Sequence, residues 1–587
     1  MTASTLSAAA RDGTVVSAGQ QALTETQQIV HVLNRLAYGP RPGDVERVRA
    51  MGIGAYIERQ LDPSQIADPA AEARLAAYPF DDMTHEELVD FDRSPVAVSA
   101  RRSETTLERA ERMRASQTDG GPPEAGRAEA VAESQRASIL NPAMSSMVAG
   151  VERREYQIQE TRILRALYSE RQLQEVLVDF WVNHFNVNLE APYLLTEYTD
   201  HVIRPRALGK FQDLLVATAT HPAMLLYLDN WLSSAPRDVV MERLEAWEPE
   251  SGQRRSLELR RRKAFFDQSN GLNENYGREL MELHTLGVDG GYTQEDVIEV
   301  ARAFTGWTIA GERQEGGFVF DPLLHDEGDK VVLGQTITSG GIDEGMRVLE
   351  MFAQHPSTAH HVSEKLVRRF VADDPPPELV EAASRTFLDT GGDIREVLRT
   401  IFGSSEFLSP VYYQAKVKKP HEFVFSSLRA VSADIRSDDS RAFFYLDRAM
   451  RDMGEGFYRH PTPDGYPDVA SAWVSTNSLF RRLAFSMAVA SEAIPSTRID
   501  LERAESLFVD LGFPTPTEEQ IAVASSLLQD AQAASTGDGM RAAAMTSTSA
   551  AMTQAGATGT GSALRGAFAA QVVGAAIVLG SPDFQKR

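Results

Sequence analysis

The stretch GLNENYGRELMELHTLGVDGGYTQEDVIEVARAFTGW, residues 271–307, combines helical periodicity with a high density of charged and amide side chains. Tyr276, Leu280 and Leu283 recur at the three- and four-residue spacing of one helix face, which predicts a helix. Gly287 follows at the kind of position where such a helix ends. The stretch therefore predicts an amphipathic helix that also carries a polar row.

Similar helical patterns recur along the rest of the chain. An apolar stripe runs through residues 173–184, and another repeats over 564–579. Thr293, with Asp296 three residues later, predicts a helix start with a capping box. Short β-like runs occur near 316–337. We therefore predict a mainly α fold: a large multi-helix body with a small β-hairpin or ordered loop insertion near 316–337.

Composition divides the chain into a body and less regular segments. The predicted order is a flexible N-terminal lead over 1–22, a helical body over 23–534, a low-complexity linker over 535–562 and a C-terminal helix over 563–587 that packs back on the body. Two polar excursions interrupt the body, at 95–150 and 232–268.

Charge and cysteine content exclude several classes of function. The 587 residues carry a formal net charge of −24, which disfavours nucleic acid as a partner because a basic surface is expected there. The chain has no cysteine, so disulfides, thiolate metal sites and cysteine nucleophiles are excluded. The apolar run at 572–579 is shorter than the ~17–25 residues of a membrane span. We expect a soluble chain, and its first residues show no signal-peptide pattern.

The candidate site lies on the predicted helix from Asn275 to Leu283. At ~100° per residue, Asn275, Arg278, Glu279 and Glu282 share one arc. Two neighbouring carboxylates need a cation, a shared proton or water between them. If buried, this pair predicts a metal site or an acid–base pair with separated pKa values; if exposed, it predicts a solvated, salt-bridged helix face.

Three histidines extend the candidate site, and each has a structural alternative. His184 lies on an apolar stripe, where it is either a satisfied core histidine or a ligand or catalytic group. His284 falls in the last helical turn, where capping of carbonyl groups is favoured, and the helix would have to distort to bring it beside Glu282. His325 lies in the acidic loop 320–329, which indicates either a hard-cation site or a polar turn. A further pair, His360 and Glu364, has the spacing of a helix surface pair or of metal ligands.

Motifs along nearly the whole chain, roughly 28–587, resemble a bacterial family known only as domain-of-unknown-function family number 1800. The motifs that carry the resemblance are HVLNRLAYGPRPGDVERVRAMG (31–52), FWVNHFNV (180–187), YLDN (227–230), NENYGRELMELHTLGVDGGYTQEDV (273–297), AFTGWTI (303–309), FVFDPLLHDEGDKVVLG (318–334), KLVRRFV (365–371), PTPDGYPDVASAW (461–473) and GSPDFQKR (580–587). The resemblance implies a large, mostly helical bacterial protein.

The resemblance also implies a setting and a set of motif residues. Members of the family are often exported, which implies a periplasmic or extracellular location, and are often encoded beside a protein that looks like the sulfatase and alkaline phosphatase superfamily. The residues that fall in recurring family motifs are His184, Asn275, Arg278, Glu279, Glu282, His284 and His325.

Two functions from different classes are consistent with the sequence. The first is a metal-dependent or acid–base hydrolase that acts on an envelope or extracellular substrate. Its catalytic set is Glu279, Glu282, Arg278, Asn275, His184 and His284, and its candidate ligands for a divalent metal ion are Glu279, Glu282, His184 and His325. The alternative is a non-catalytic binding or assembly partner of the sulfatase-like neighbour, with the polar row serving as a buried network that fixes helix packing.

Overall fold

The computed structural model describes residues 21–78, 83–84, 87–88, 157–188, 192–246, 271–310, 316–513 and 561–587. The predicted excursion at 95–150 lies outside these residues. So do the predicted lead and linker, except for 21–22 and 561–562, and the part of the second excursion beyond 246.

The described residues form a mainly α fold, as predicted. A helical stretch covers 157–168. The other α-helices are α1 (Glu25–Leu36), α2 (Asp44–Met51), α3 (Ile53–Leu61), α4 (Pro69–Leu75), α5 (Gln172–His184), α6 (Pro192–Thr196), α7 (Phe211–Ala219), α8 (Pro222–Tyr227), α9 (Arg237–Ala246), α10 (Asn275–Glu279), α11 (Gln294–Ala303), α12 (Ile342–Ala353), α13 (Pro356–Phe370), α14 (Pro377–Asp389), α15 (Ile394–Phe402), α16 (Pro420–Ala430), α17 (Arg441–Asp452), α18 (Thr476–Ala490), α19 (Leu501–Asp510) and α20 (Gly561–Gly580). Helices of the body share one large apolar core.

The fold also contains short antiparallel strand pairs. They are β1 (Trp307–Ile309) with β2 (Phe318–Phe320), β3 (Lys330–Val332) with β4 (Gln335–Ile337), and β5 (Asp434–Ile435) with β6 (Thr497–Arg498). The predicted insertion near 316–337 thus contains a β-hairpin, β3–β4. Its two-residue turn has positive φ at both Leu333 and Gly334, the backbone that a tight hairpin requires.

Helix α5 is buried on nearly every side and carries buried titratable side chains. Its predicted apolar stripe is buried, and so are Asp179 and His184. A helix that is buried all round must find partners for its polar side chains because unpaired polar groups are costly inside a protein. Those partners come from segments distant in the sequence.

The predicted helix over 275–283 divides into two parts. It is α-helical from Asn275 to Glu279 and continues as a π-helical turn from Leu280 to His284. A Cβ at Gly277 would lie 3.1 Å from the backbone nitrogen of Ala301, so glycine allows α10 to pack closely against α11. The capping box at the start of α11 is confirmed, with Thr293 Oγ1 accepting from the Asp296 N–H at 3.2 Å.

The C-terminal helix α20 packs against α18 and α19. The residues after it pair with an internal segment: the Arg587 N–H donates to the Lys416 carbonyl at 2.8 Å, and the Lys418 N–H donates to the Gln585 carbonyl at 2.8 Å. None of the described helices combines the length and the apolar character that a bilayer crossing needs.

Candidate functional site

The two predicted carboxylates, Glu279 and Glu282, are both half-buried at the junction of α10 and the π-helical turn. Burial raises the pKa of the Glu279 carboxyl, and the negative charges of Glu282 and Asp464 raise it further. The positive charge of Arg278 opposes this shift. Within the described part of the chain, the Glu279 side chain has no hydrogen bond or ion pair, so its carboxyl is free to exchange a proton.

Arg278 and Asn275 lie at the edge of the site rather than on the carboxylates. Arg278 Nη2 donates to Glu274 Oε2 at 2.9 Å and to Gln294 Oε1 at 3.0 Å. Asn275 is exposed, and its backbone N–H donates to Asn273 Oδ1 at 2.9 Å. The direct ion-pair partner of Arg278 is therefore Glu274, and its influence on Glu279 is electrostatic.

Two histidines from other helices cap the end of the π-helical turn. His184 Nε2 donates to the carbonyl of His284 at 3.1 Å, and His361 Nε2 donates to the carbonyl of Leu283 at 3.2 Å. The last carbonyls of a helix lack partners within the helix, so these contacts satisfy them. A Cβ at Gly287, where φ is +82°, would lie 3.0 Å from His361 Nδ1, so glycine is needed for both backbone and space.

His284 itself turns into the interior. The helix does distort before it, through the π-helical turn, but the His284 ring packs against Phe185 and His184, with centroids 5.2 and 6.2 Å away. The predicted capping role falls instead to His184 and His361. In the described residues, His284 Nε2 and His184 Nδ1 are buried without a hydrogen bond.

The histidine cluster is electrically neutral. Burial, followed by the charge of Lys365, lowers the pKa of His284 to about 3 and that of His361 to about 4. Burial and Lys365 likewise hold the pKa of His184 well below its ordinary value. Because a carbonyl only accepts, His184 carries its proton on Nε2 and keeps the lone pair on Nδ1.

Lys365 on α13 is the group that sequence reasoning missed. It is half-buried, and burial followed by the charge of Arg368 lowers its pKa to about 8, against the opposing charges of Asp464 and Asp468. No hydrogen bond or ion pair to its Nζ occurs among the described residues. The available signal was the four-residue spacing of His361 and Lys365, which puts both on one face of a helix.

His360 and Glu364, which the sequence suggested as a pair, form no hydrogen bond or ion pair with each other in the structure. His360 is exposed, and Glu364 Oε1 accepts from Arg368 Nη2 at 2.6 Å. The helix face that points to the site is the one that carries His361 and Lys365.

A loop from the distant motif PTPDGYPD, residues 461–468, closes the site. Asn183 on α5 holds it in both directions: Nδ2 donates to the Tyr466 carbonyl at 2.8 Å, and Oδ1 accepts from the Tyr466 N–H at 2.7 Å. A Cβ at Gly465, where φ is +72°, would collide with the backbone oxygen of Asn183. This docking brings the Asp464 carboxylate within electrostatic reach of both Glu279 and Lys365.

His325 belongs to a different, buried network. Its Nδ1 donates to the Thr305 carbonyl at 2.8 Å, and its Nε2 lies 3.1 Å from Glu344 Oε1. Lys330 also pairs with Glu344, and Asp326 in the acidic loop pairs with Arg302. Of the two predicted alternatives for this loop, a cation site and a polar turn, these contacts are those of a polar turn.

The four predicted metal ligands are therefore not brought together. His325 is engaged with Thr305 and Glu344, and His184 Nε2 is engaged with a backbone carbonyl. Across the described residues, no group of three or more histidine, aspartate or glutamate side chains is placed to hold a metal ion.

A second feature missed by the sequence is an ionic cluster behind the site. His421 lies between Asp179 Oδ2 at 3.1 Å and Glu455 Oε2 at 2.7 Å. Burial would lower the pKa of His421, but these two carboxylates raise it to about 9. Lys419 and Arg162 also contact Asp179. A cavity of about 30 Å³, enough for a water molecule or two, separates this cluster from the docked loop.

Comparison with known proteins identifies a family but no characterised relative. Residues 31–586 match the family described as "Protein of unknown function (DUF1800)", so the chain belongs to that family. The chain matches no curated protein and no solved structure.

Proposed function

We propose that this member of the DUF1800 family is an enzyme that works by acid–base catalysis, with Glu279 and Lys365 as its proton-transferring groups. The observation that carries this proposal is their shared setting. Both side chains are half-buried, both lack a hydrogen-bond partner among the described residues, and both lie within electrostatic reach of Asp464.

The protonation of the two groups supports this assignment. A carboxyl whose pKa is raised and an amine whose pKa is lowered are suited to donate and to accept a proton, respectively. The pKa of Glu279 is raised by burial and by Glu282, and that of Lys365 is lowered to about 8 by burial and Arg368. Near neutral pH, part of the Lys365 population is therefore a neutral amine.

For hydrolysis, the reaction class suggested by the residue types and by export in the family, the roles divide as follows. The Lys365 amine takes a proton from water as the water oxygen attacks the substrate. Glu279, whose carboxyl pKa is raised, serves as the proton donor to the leaving group. Glu282 keeps the pKa of Glu279 raised, and His184 and His361 hold the π-helical turn that carries Glu282 and directly follows Glu279.

The metal-dependent form of the hypothesis has less support. Glu279 and Glu282 would need further ligands, and the described residues place no third histidine or carboxylate ligand with them. Elemental analysis of purified wild-type protein and Glu279→Ala distinguishes the two forms: a stoichiometric metal that is lost in the variant would favour the metal site.

The test combines activity with stability. Chromogenic carboxylate, phosphate and sulfate esters and glycosides are screened with wild type, Glu279→Gln and Lys365→Met. We expect each variant to reduce hydrolysis about 100-fold or more, the usual loss of a general acid or base. Glu274→Gln, on a half-buried glutamate of the same segment, and Lys210→Met, on a lysine whose side chain is 44% exposed, are the matched controls.

The same variants separate catalysis from a structural role. A catalytic Glu279 makes no hydrogen bond to lose, so Glu279→Gln should change the free energy of unfolding by less than about 0.5 kcal/mol. If the polar row instead fixed helix packing for a binding or assembly partner, the same variant would cost roughly 1–3 kcal/mol. Hydrolysis that survives in both variants would also contradict the proposal.

A further inference from the structure

A polar pocket of about 290 Å³ opens beside α2, on residues that belong to no part of the candidate site. Its walls come from the segment 41–47, the turn at 167–170 and the end of α16 with the residues that follow. The charged lining residues are Arg41, Arg47, Arg429, Arg503, Asp44 and Glu170. The lining holds four arginines and two carboxylates, and a third carboxylate, Asp500, lies 3.5 Å from Arg503, so the pocket is basic in a chain of net charge −24.

Two of the arginines already hold a carboxylate between them. Glu170 accepts from Arg41 Nη2 at 2.7 Å and lies 3.0 Å from Arg47 Nη1. Asp44 accepts from Arg47 Nη2 at 2.8 Å and so fixes the second fork. The planar guanidinium forks are thus oriented before any ligand arrives, which is the arrangement that recognises oxyanions.

Arg429 at the base of the pocket is short of negative charge. Its side chain is 1% exposed, and it donates to the carbonyls of Gly39 and Leu167, both at 3.0 Å. Its nearest carboxylate is Asp44 at 3.6 Å. Burial and the charge of Arg41 lower its pKa to about 9. An anion in the pocket would compensate this buried cation.

Ser432 lines the pocket just after α16. Its φ of +48° belongs to the turn that ends this helix, in which the Ala433 N–H donates to the Leu428 carbonyl at 2.9 Å. The Ser432 hydroxyl has no hydrogen bond within the described residues and is available to a ligand.

We propose that this pocket binds the oxyanion group of a small ligand: a phosphate, a sulfate or a carboxylate. Arg41 and Arg47 orient the group, Arg429 supplies the buried charge, and the Ser432 hydroxyl donates one hydrogen bond. A volume of about 290 Å³ accommodates the oxyanion group and a small molecule that carries it.

Equilibrium dialysis of the full chain against radiolabelled inorganic phosphate, in a low-salt buffer without other oxyanions, tests the proposal. Radiolabelled sulfate and radiolabelled acetate are dialysed in separate arms, and the arm with the tightest binding identifies the preferred class of oxyanion. Arg47→Gln should weaken binding about tenfold, the loss expected when a charged hydrogen bond is removed. Ser432→Asp should abolish it, because aspartate tolerates the left-handed backbone and places a like charge in the pocket.

Arg399→Gln is the matched control. The Arg399 side chain is 38% exposed and pairs with Glu58 and Glu396, much as Arg47 is 42% exposed and pairs with two carboxylates. Saturable binding of any of the three anions that is kept in Arg399→Gln and lost in Ser432→Asp supports the pocket. Absence of binding for all three anions, or equal binding in wild type and both pocket variants, would overturn it. Circular dichroism confirms that each variant is folded.

Discussion

The neutral histidine cluster predicts that acid destabilises this protein through His284 in particular. The unfolded chain protonates this histidine near its ordinary pKa of 6.5, whereas the folded protein keeps it neutral down to about 3. As pH falls below 6.5, the unfolded state therefore binds a proton that the folded state does not bind, and the free energy of unfolding decreases. The loss continues until the pH reaches about 3.

The size of the effect follows from the distance to the unfolded pKa. A pH of 5 is 1.5 units below the unfolded-state pKa of 6.5, and each unit corresponds to about 1.36 kcal/mol. His284 therefore lowers the free energy of unfolding by about 2 kcal/mol at pH 5 and by almost nothing at pH 7. Removal of the titrating group, as in His284→Gln, should remove this part of the pH dependence.

Urea unfolding of wild type and His284→Gln at pH 7 and pH 5, followed by circular dichroism, measures the effect. We expect wild type to lose about 2 kcal/mol more than the variant between the two pH values. His360→Gln, which changes an exposed histidine on α13, is the control and should follow wild type. Equal losses in wild type and His284→Gln would refute the assignment of a neutral, buried His284.

Three further substitutions probe the supports of the site and the fold. Gly465→Ala should lower stability by about 1–3 kcal/mol, because alanine at φ of +72° collides with the Asn183 backbone; thermal unfolding measures the loss, and an unchanged melting temperature would contradict the docked loop. Thr293→Ala removes a helix cap and should cost about 1 kcal/mol in urea unfolding, whereas Thr293→Ser should restore most of it. Arg587→Ala removes one of the two guanidinium groups on the buried carboxylate of Glu422, which keeps Arg369, and should cost about 1–3 kcal/mol by the same assay; an unchanged stability would show that this end of the chain is not anchored by the pair.

The sequence predicted those parts of the fold that depend on residues close together along the chain. The capping box at Thr293 and the apolar stripe of α5 depend on residues within one or two turns of each other, so spacing alone reveals them. The same is true of Glu279 and Glu282, which lie one turn apart. The break between α10 and the π-helical turn was beyond reach, because capping contacts from His184 and His361 accompany it and both come from other helices.

Long-range contacts decide the rest of the candidate site. Asp464 reaches Glu279 only because Asn183 docks a loop that is about 280 residues away in sequence. The cluster around His421 was missed for a different reason: charged residues are normally expected at the surface, and nothing in the segment KKPHE, residues 418–422, indicates that its charges pair inside.

The protonation of Lys365 tests the central claim most directly. The chain has eight lysines, so each can be followed by mass spectrometry after brief labelling with an amine-reactive ester from pH 6 to pH 10. The acid–base site predicts that Lys365 becomes reactive with a midpoint near pH 8, and that Lys365→Met removes this early-labelled peptide together with any hydrolytic activity. A Lys365 that stays unreactive until above pH 10 would be an ordinary charged lysine, and the proposed pairing with Glu279 would be wrong.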